Sequence, residues 1–138
     1  MTWDKHLLKP KIYFIVDDDF DDQQFLIDAL VENDPSCECF TSSDGQEAIT
    51  KLMDAIIPIP DVIFLDLNMP LLNGRKCLAV LKKTLFLQHI PIIIYSTTSN
   101  KKEIQEITDQ GASYFLIKKP SFKELREELS SIAVIARQ

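Results

Sequence analysis

The sequence is poor in cysteine and in glycine, and both shortages narrow the kind of protein it encodes. Three cysteines are an odd number, and none stands in a CxxC or Cys/His spacing typical of a metal site. This pattern favours a reduced intracellular protein over a disulfide scaffold. Three glycines among 138 residues, with no internal repeat or linker, favour one domain that fills the chain. We therefore expect a single domain over residues 1–138, with its core at about 11–130 and an N-terminal tail at 1–9.

Positive charge and long apolar runs are also scarce. The chain has 15 Lys and Arg against 21 Asp and Glu, which gives a net charge of −6. A protein without a basic surplus neutralises few phosphates, which argues against general binding of nucleic acid or of an anionic membrane. No stretch approaches the roughly 18 uninterrupted apolar residues of a membrane span, and the N-terminus lacks a signal-peptide pattern. The expected location is the cytoplasm.

Short apolar segments alternate with helical patterns along the chain. Four segments are rich in β-branched and aromatic residues and end abruptly in polar residues, as strands buried on both faces do. They are Lys11–Val16, Val62–Leu65, Ile92–Tyr95 and Tyr114–Ile117, with a weaker and more polar strand at Cys37–Thr41. Helical spacing or capping patterns follow each of them, at Phe25–Leu30, Ser43–Met53, Gly74–Thr84, Asn100–Asp109 and from Ser121 onward. This alternation predicts an α/β fold, (βα)5, with a parallel sheet covered by helices on both faces.

Polar residues of a particular kind follow the predicted strands. In an open parallel α/β sheet, ligands bind beyond the carboxyl ends of the strands. At those ends stand carboxylates, hydroxyls and ammonium groups, in the pairs and single residues Asp17-Asp18, Asp66, Ser96-Thr97 and Lys118-Lys119. Clustered carboxylates repel one another unless a cation or protons neutralise them, and oxygen-only ligands select a hard cation such as Mg²⁺. The strand ends carry no Cys or His, which argues against zinc.

The same groups suit phosphoryl chemistry. A lysine and a hydroxyl opposite the carboxylates would contact the remaining oxygens of a phosphoryl group. One of the carboxylates could itself be the nucleophile and form an aspartyl phosphate. The residues alone therefore predict a Mg²⁺-dependent aspartyl-phosphate site.

The motifs around these residues resemble those of response-regulator receiver domains of the chemotaxis-regulator type. The resemblance extends from about Lys11 to Leu129 and rests on several motifs in family order. They are Phe14–Asp19, Asp61–Pro70, Asn73-Gly74, Pro91–Thr97 and Gly111–Pro120. The resemblance implies a flavodoxin-like, doubly wound parallel sheet with strand order 2-1-3-4-5.

The resemblance also assigns roles to single residues. Asp66 corresponds to the phosphoacceptor, Ser96 to the conserved hydroxyl, and Phe115 to the aromatic residue that switches with that hydroxyl. Asn68 and Thr98 lie two residues past Asp66 and Ser96, at positions that tune the rate of dephosphorylation in this family.

A metal site is part of the same resemblance. The implied cofactor is Mg²⁺, for which Mn²⁺ can substitute. Its implied ligands are Asp18, Asp17 through a water molecule, Asp66 and the backbone carbonyl of Asn68.

The end of the fifth strand departs from the family pattern. The family has Lys-Pro there, whereas this chain has Lys118-Lys119-Pro120. If the family motif is aligned on Gly111, the lysine that contacts the phosphoryl group is Lys118. If it is aligned on Pro120, that lysine is Lys119. We favour Lys118, because a slip by one residue along a strand turns the side chain to the other face. The family's proline often follows a cis peptide bond, and the shift leaves the isomer of the Pro120 peptide open.

A structural explanation competes for part of the acidic run. Carboxylates in the first turn of a helix interact favourably with its macrodipole, and this accounts for Asp19, Asp21 and Asp22. It is less convincing for Asp17-Asp18, which directly ends an apolar strand. An unpaired carboxylate between two leucines is costly, so Asp66 favours a functional interpretation.

We therefore expect a stand-alone receiver in a two-component phosphorelay. A histidine kinase or a phosphotransfer protein would donate the phosphoryl group to Asp66. Phosphorylation would then change contacts with an unidentified downstream protein through the face formed by helix 4, strand 5 and helix 5. Because the chain ends soon after the fifth helix, we expect no output domain and no enzyme activity beyond self-directed phosphoryl transfer and autodephosphorylation.

Two alternatives compete with this interpretation. A small Mg²⁺-dependent phosphohydrolase of the haloacid-dehalogenase type has its nucleophile in an Asp-x-Asp after the first strand, and Asp17-Asp18-Asp19 fits that pattern. Against it stand the short chain, which lacks room for the usual cap, and the better nucleophile candidate at Asp66. The other alternative is a receiver that binds partners without being phosphorylated, and the complete set of acids, hydroxyl and lysine argues against it.

Overall fold

A computed structural model describes residues 9–69 and 71–132 as five strands and five helices in strict alternation. The predicted N-terminal tail, apart from Lys9, lies outside the described residues. In chain order the elements are β1 (Ile12–Val16), α1 (Phe20–Asn33), β2 (Glu38–Ser42), α2 (Gly45–Met53), β3 (Val62–Leu65), α3 (Gly74–Lys83), β4 (Ile92–Ser96), α4 (Lys101–Asp109), β5 (Tyr114–Ile117) and α5 (Phe122–Ser131).

The five strands form one sheet in the order β2-β1-β3-β4-β5, and every neighbouring pair is parallel. The predicted flavodoxin-like topology is therefore confirmed. Every residue of β3 and β4 is buried, whereas in β2, at the edge of the sheet, only Ser42 is buried. The polar sequence of the second strand thus matches its edge position, because an edge strand is covered less than a central one.

Successive strand residues point to opposite faces of the sheet and fill two separate cores. Phe14 and Ile63 belong to the core beneath α2, α3 and α4. Tyr13 and Phe64 belong to the core beneath α1 and α5, where their rings meet edge to face at 5.9 Å. Among the described residues, no helix has the length and apolar character needed to cross a membrane.

Side-chain caps determine where the helices begin. The predicted capping patterns at Asn100 and Ser121 begin α4 and α5, and each cap oxygen accepts the backbone N–H three residues later. In the second helix the cap is Asp44 and not the preceding serine, because Asp44 Oδ1 accepts the Glu47 N–H at 2.7 Å. Glu47 in turn accepts the backbone N–H of Ser43 at 3.3 Å, which shifts the predicted capping box by one residue.

Helix α4 is weakly anchored to the core. Ile107 is its only buried residue, and the neighbouring Ile104 is half-buried. Elements with few buried apolar contacts open at a low free-energy cost, so α4 is suited to move.

Candidate functional site

Backbone hydrogen bonds continue past the strand ends and bring the candidate residues to one edge of the sheet. The Asp17 amide donates to the last carbonyl of β2 at 3.0 Å, and the Asp66 amide donates to the last carbonyl of β1 at 2.9 Å. The Lys118 amide donates to the Ser96 carbonyl at 2.7 Å. The sheet itself therefore fixes the spacing of these four residues.

Helix α3 supports the end of β3 by direct backbone contact. The Gly74 amide donates to the Leu67 carbonyl at 3.0 Å, and a Cβ at position 74 would lie 2.6 Å from the Cα of Leu67. No side chain fits in that space, so the close approach requires glycine. This is the physical reason for the Asn73-Gly74 motif, in which Asn73 also caps α3.

Three carboxylates meet at the carboxyl edge of the sheet. One oxygen from each of Asp17, Asp18 and Asp66 lies within 4.8 Å of the others. Asp17 is 1% exposed and Asp66 is 6% exposed, whereas Asp18 is exposed to solvent. Asp17 Oδ1 accepts the Asp19 N–H at 3.0 Å, and the buried Oδ2 of Asp17 faces the Lys118 ammonium at 2.8 Å.

This arrangement fits a hard divalent cation. The donor set is entirely oxygen, and it brings three carboxylates together, two of which are buried. Asn68 and Asp18 line one cleft of about 430 Å³ beside the carboxylates, which leaves room for water and a phosphoryl group.

Lys118 is the cation that faces the carboxylates. Its Nζ lies 2.8 Å from Asp17 Oδ2, 2.8 Å from Asp22 Oδ2 and 3.8 Å from Asp66 Oδ2. The same ammonium lies 5.3 Å from the centre of the Tyr95 ring, which forms one wall of its pocket.

Lys119 points elsewhere. Its Nζ lies 3.6 Å from Glu128 Oε1 on α5, and its side chain is 44% exposed. Of the two lysines left open by the sequence, only Lys118 approaches the carboxylates. The described residues contain no cis peptide bond, so the Pro120 peptide is trans.

Burial and mutual repulsion change the acidity of the site. Burial raises the pKa of Asp66 to about 6, against the opposing attraction of Lys118 and with a further rise from Asp17. Burial also raises the pKa of Asp17 above its ordinary value, although the Lys118 ammonium opposes the rise. Burial alone would lower the pKa of Lys118, but Asp17, Asp22 and Asp66 together raise it above the ordinary lysine value. Lys118 therefore carries its charge throughout the physiological range.

The raised pKa of Asp66 predicts a particular pH dependence of stability without metal. Between about pH 4 and pH 6 the folded protein holds a proton on Asp66 that the unfolded chain has released. The free energy of unfolding is therefore expected to fall as the pH rises through this interval. Urea unfolding in metal-free buffer across the interval measures the slope, and Asp66→Asn is expected to flatten it. Equal slopes for the wild type and the variant would contradict this account.

The remaining candidate residues lie along β4 and β5. Ser96 is fully buried, and its Oγ accepts the Thr98 N–H at 3.5 Å. Phe115 pairs with Ile94 in the sheet and packs, half-buried, against the core beneath α4. Because Ile94 and Ser96 are two residues apart on one strand, Ser96 and Phe115 share a face of the sheet.

Two polar residues of the site were not singled out by sequence reasoning. The Gln23 side chain is buried, and its amide donates to the Asp17 carbonyl at 2.6 Å and to the Ser42 carbonyl at 3.2 Å, which ties β1 to β2. The signal was present, since Gln23 has the helical spacing of the buried Leu26 and Leu30. The contact of Asp22 with Lys118 spans 96 positions, and no local pattern predicts it.

Comparisons with known proteins agree with this geometry. A family model described as the response regulator receiver domain matches residues 13–130. The response regulator Rcp1 of Synechocystis is 27% identical over 127 residues, which cover 89% of this chain and 86% of that protein. A protein-glutamate methylesterase of Rhodopseudomonas palustris is 30% identical over 116 residues, but the match covers only 30% of that larger protein.

Solved structures of response regulators have the same fold as this chain. The phosphorylated cyanobacterial phytochrome response regulator RcpA has a TM-score of 0.79 and 30% identity, and the match covers 92% of this chain and 90% of that one. The chemotaxis protein CheY4 of Vibrio cholerae has a TM-score of 0.73 and 27% identity, with coverages of 88% and 97%. The Mn²⁺-bound form of Rcp1 has a TM-score of 0.77 and 26% identity, with coverages of 92% and 91%. The chain belongs to the family of receiver domains of two-component response regulators.

Proposed function

We propose that Asp66 is the phosphoacceptor of this receiver domain. The observation that carries the proposal is the placement of this carboxylate at the end of the central strand β3. It is buried, two further carboxylates lie within 4.8 Å, and the Lys118 ammonium lies at 3.8 Å. Buried groups with such charged neighbours and a raised pKa are typical of reactive sites.

The proposed reaction forms an acyl phosphate on Asp66. A carboxylate oxygen attacks the phosphorus of a phosphohistidine or of a small acyl phosphate. The new O–P bond forms as the bond from phosphorus to the donor's imidazole nitrogen or carboxyl oxygen breaks, and the donor keeps that electron pair. With a pKa of about 6, Asp66 is mostly ionised at neutral pH and ready to attack. The Lys118 ammonium and the Ser96 hydroxyl are the donors proposed to contact the phosphoryl oxygens.

Mg²⁺, or Mn²⁺ in its place, is the proposed cofactor. Asp17, Asp18, Asp66 and the carbonyl of Asn68 are its proposed ligands, with Asp17 acting through water. When bound, the ion supplies positive charge that neutralises the carboxylates and the phosphoryl oxygens. Its proposed presence is supported by the all-oxygen donor set, and by the Mn²⁺ bound to the related Rcp1.

Phosphorylation is proposed to act on α4 and β5. Ser96 would turn toward the phosphoryl group and Phe115 would follow it into the core beneath α4, because the two share a face of the sheet. Weak anchoring of α4 by Ile107 supports a shift of this helix. Asn68 and Thr98 flank the site, and we propose that they tune the lifetime of the phosphoryl group.

A histidine kinase or a phosphotransfer protein is the proposed donor, and a downstream protein is the proposed target. The target would bind the face formed by α4, β5 and α5, where Tyr114 is 39% exposed and donates a hydrogen bond to Glu128 Oε2 at 3.3 Å. Autodephosphorylation is the only hydrolysis we propose. The comparisons give no support to the haloacid-dehalogenase alternative.

Incubation with a small acyl phosphate tests the proposed function. With Mg²⁺ present, the intact mass of the chain is expected to rise by one phosphoryl group, and the label is expected to be lost in alkali. With a chelator in place of Mg²⁺, labelling is expected to be weak. An unlabelled protein, or sustained turnover of a phosphate monoester without a labelled intermediate on Asp66, would contradict the proposal.

An ion pair beside the site connects α4 to α3, and its removal is expected to loosen α4. Arg75 on α3 lies 3.1 Å from Glu103 Oε2 and 3.8 Å from Glu106 Oε1, both on α4. Arg75→Gln removes this tie and is expected to speed amide hydrogen exchange in α4 by about two- to fivefold, since a half-exposed pair contributes less than about 1 kcal/mol. Lys76→Gln, an exposed neighbour on the same turn, is the control. Equal exchange in both variants would mean that the ion pair does not restrain α4.

A further inference from the structure

The closest contacts of Lys118 are not with the proposed phosphoacceptor. Its Nζ donates to Asp22 Oδ2 at 2.8 Å. Asp17 Oδ2 lies equally close and forms an ion pair with the same ammonium, whereas Asp66 Oδ2 lies at 3.8 Å, beyond hydrogen-bond distance. Among the described residues, Asp17 and Asp22 are thus the closest partners of this ammonium, and Asp22 is the more exposed of the two.

We propose that Asp22 is a positioning residue that competes with the phosphoryl group on Asp66 for the ammonium of Lys118. This inference rests on the proposed function of Asp66. In the unphosphorylated protein Asp22 holds Nζ toward α1, and Nζ moves away from Asp22 as it approaches a phosphoryl oxygen on Asp66. Asp22 therefore weakens the binding of a phosphoryl group, because part of the favourable free energy of that binding is spent on separating Lys118 from Asp22.

The burial of the three acids supports a competition of this kind. The side chains of Asp17 and Asp66 are 2% and 8% exposed, so neither can be left unpaired cheaply. The Asp22 side chain is 38% exposed, and water can replace the ammonium when it leaves. Asp22 is thus the partner that Lys118 can give up.

The surroundings of the ammonium leave it room to move. Asp22, Tyr95, Thr97 and Lys118 all line one open cleft of about 330 Å³. The Tyr95 ring, buried in the core beneath α1 and α5, lies under the ammonium, 5.3 Å from Nζ to the ring centre. Because Nζ lies 3.8 Å from Asp66 Oδ2, a shift of about 1 Å brings it within hydrogen-bond distance of the phosphoacceptor.

Asp21 provides a matched control for the charge of Asp22. It lies in the same first turn of α1, carries the same charge and lines the same cleft. Among the described residues its carboxylate forms no ion pair with Lys118, which pairs with Asp17, Asp22 and Asp66. Asp21→Asn and Asp22→Asn therefore each remove one negative charge from the first turn of α1. Only Asp22→Asn removes a charge that is paired with Lys118.

The test is an equilibrium titration with beryllofluoride, a phosphoryl mimic, at a fixed saturating Mg²⁺ concentration. Asp22→Asn is expected to bind the mimic about three- to tenfold more tightly than the wild type, as expected for release of a partly exposed ion pair. Asp21→Asn is expected to bind it within about twofold of the wild type, because only a screened charge is lost. Asp22→Ser is expected to behave like Asp22→Asn.

A double-mutant cycle separates competition for Lys118 from a general charge effect. In a Lys118→Gln background, Asp22→Asn is expected to leave the affinity for the mimic unchanged. The same gain in both backgrounds, or equal gains for Asp21→Asn and Asp22→Asn, would overturn the inference while leaving the function of Asp66 intact. A wild type that does not bind beryllofluoride would overturn the proposed function, and the inference with it.

Discussion

Asp66→Asn is expected to abolish labelling by a small acyl phosphate, with a loss of at least about 100-fold, because an amide lacks the nucleophilic oxygen of a carboxylate. The variant is expected to fold, since asparagine has the same shape and removes a buried charge that lies close to Asp17 and Asp18. Labelling followed by intact-mass measurement gives the result directly.

Asp28→Asn is the matched control for this loss. Asp28 is an exposed residue of α1 that accepts a hydrogen bond from Gln24 at 2.7 Å, and an asparagine oxygen can accept the same bond. Its labelling is expected to equal that of the wild type. Persistent labelling of Asp66→Asn, under conditions in which the control behaves normally, would show that another group accepts the phosphoryl.

Lys118→Met is expected to lower the free energy of unfolding by about 3 kcal/mol at pH 8 without metal. The substitution leaves two buried carboxylates, Asp17 and Asp66, without the cation that faces them, and breaking a buried pair costs roughly 3–5 kcal/mol. Asp22 contributes less to the loss because its side chain is 38% exposed and screened by solvent. Urea denaturation measures the effect.

Lys119→Met is the control for the neighbouring lysine. Its half-exposed pair with Glu128, at 3.6 Å, is expected to be worth less than about 1 kcal/mol. The difference between the two variants is also expected to narrow toward pH 5, where Asp66, with a pKa of about 6, is mostly protonated and no longer needs the cation. Equal losses in both variants would contradict the assignment of Lys118 to the site.

The architecture followed from the sequence because its signals are local. The core of a buried strand such as β4 is a continuous apolar segment, Ile92–Tyr95, and cap residues such as Asn100 and Ser121 mark where helices begin. The sequence did not separate two adjacent candidates for the cap of α2, Ser43 and Asp44. The cap of α2 is Asp44 and not Ser43, because Asp44 Oδ1 accepts the Glu47 N–H, while the Glu47 side chain accepts the N–H of Ser43.

The parts of the candidate site that depend only on the order and direction of the strands were predictable from the sequence. Parallel strands end at one edge, so residues that follow a strand, such as Asp17, Asp66 and Lys118, could be placed together from their positions alone. Asp22 could not, because its place in the first turn of α1 has a sufficient local reason in the helix macrodipole. Its contact with Lys118 depends on how α1 and the end of β5 meet in three dimensions.

Chemical mapping of the phosphorylated residue tests the central claim most directly. Borohydride reduces an acyl phosphate to an alcohol, so a phosphorylated aspartate becomes homoserine, which peptide mass spectrometry locates in the sequence. After labelling with a small acyl phosphate and Mg²⁺, homoserine is expected at position 66. Homoserine at position 17 instead, as a nucleophile after the first strand would give, or no homoserine in a labelled protein, would contradict the account.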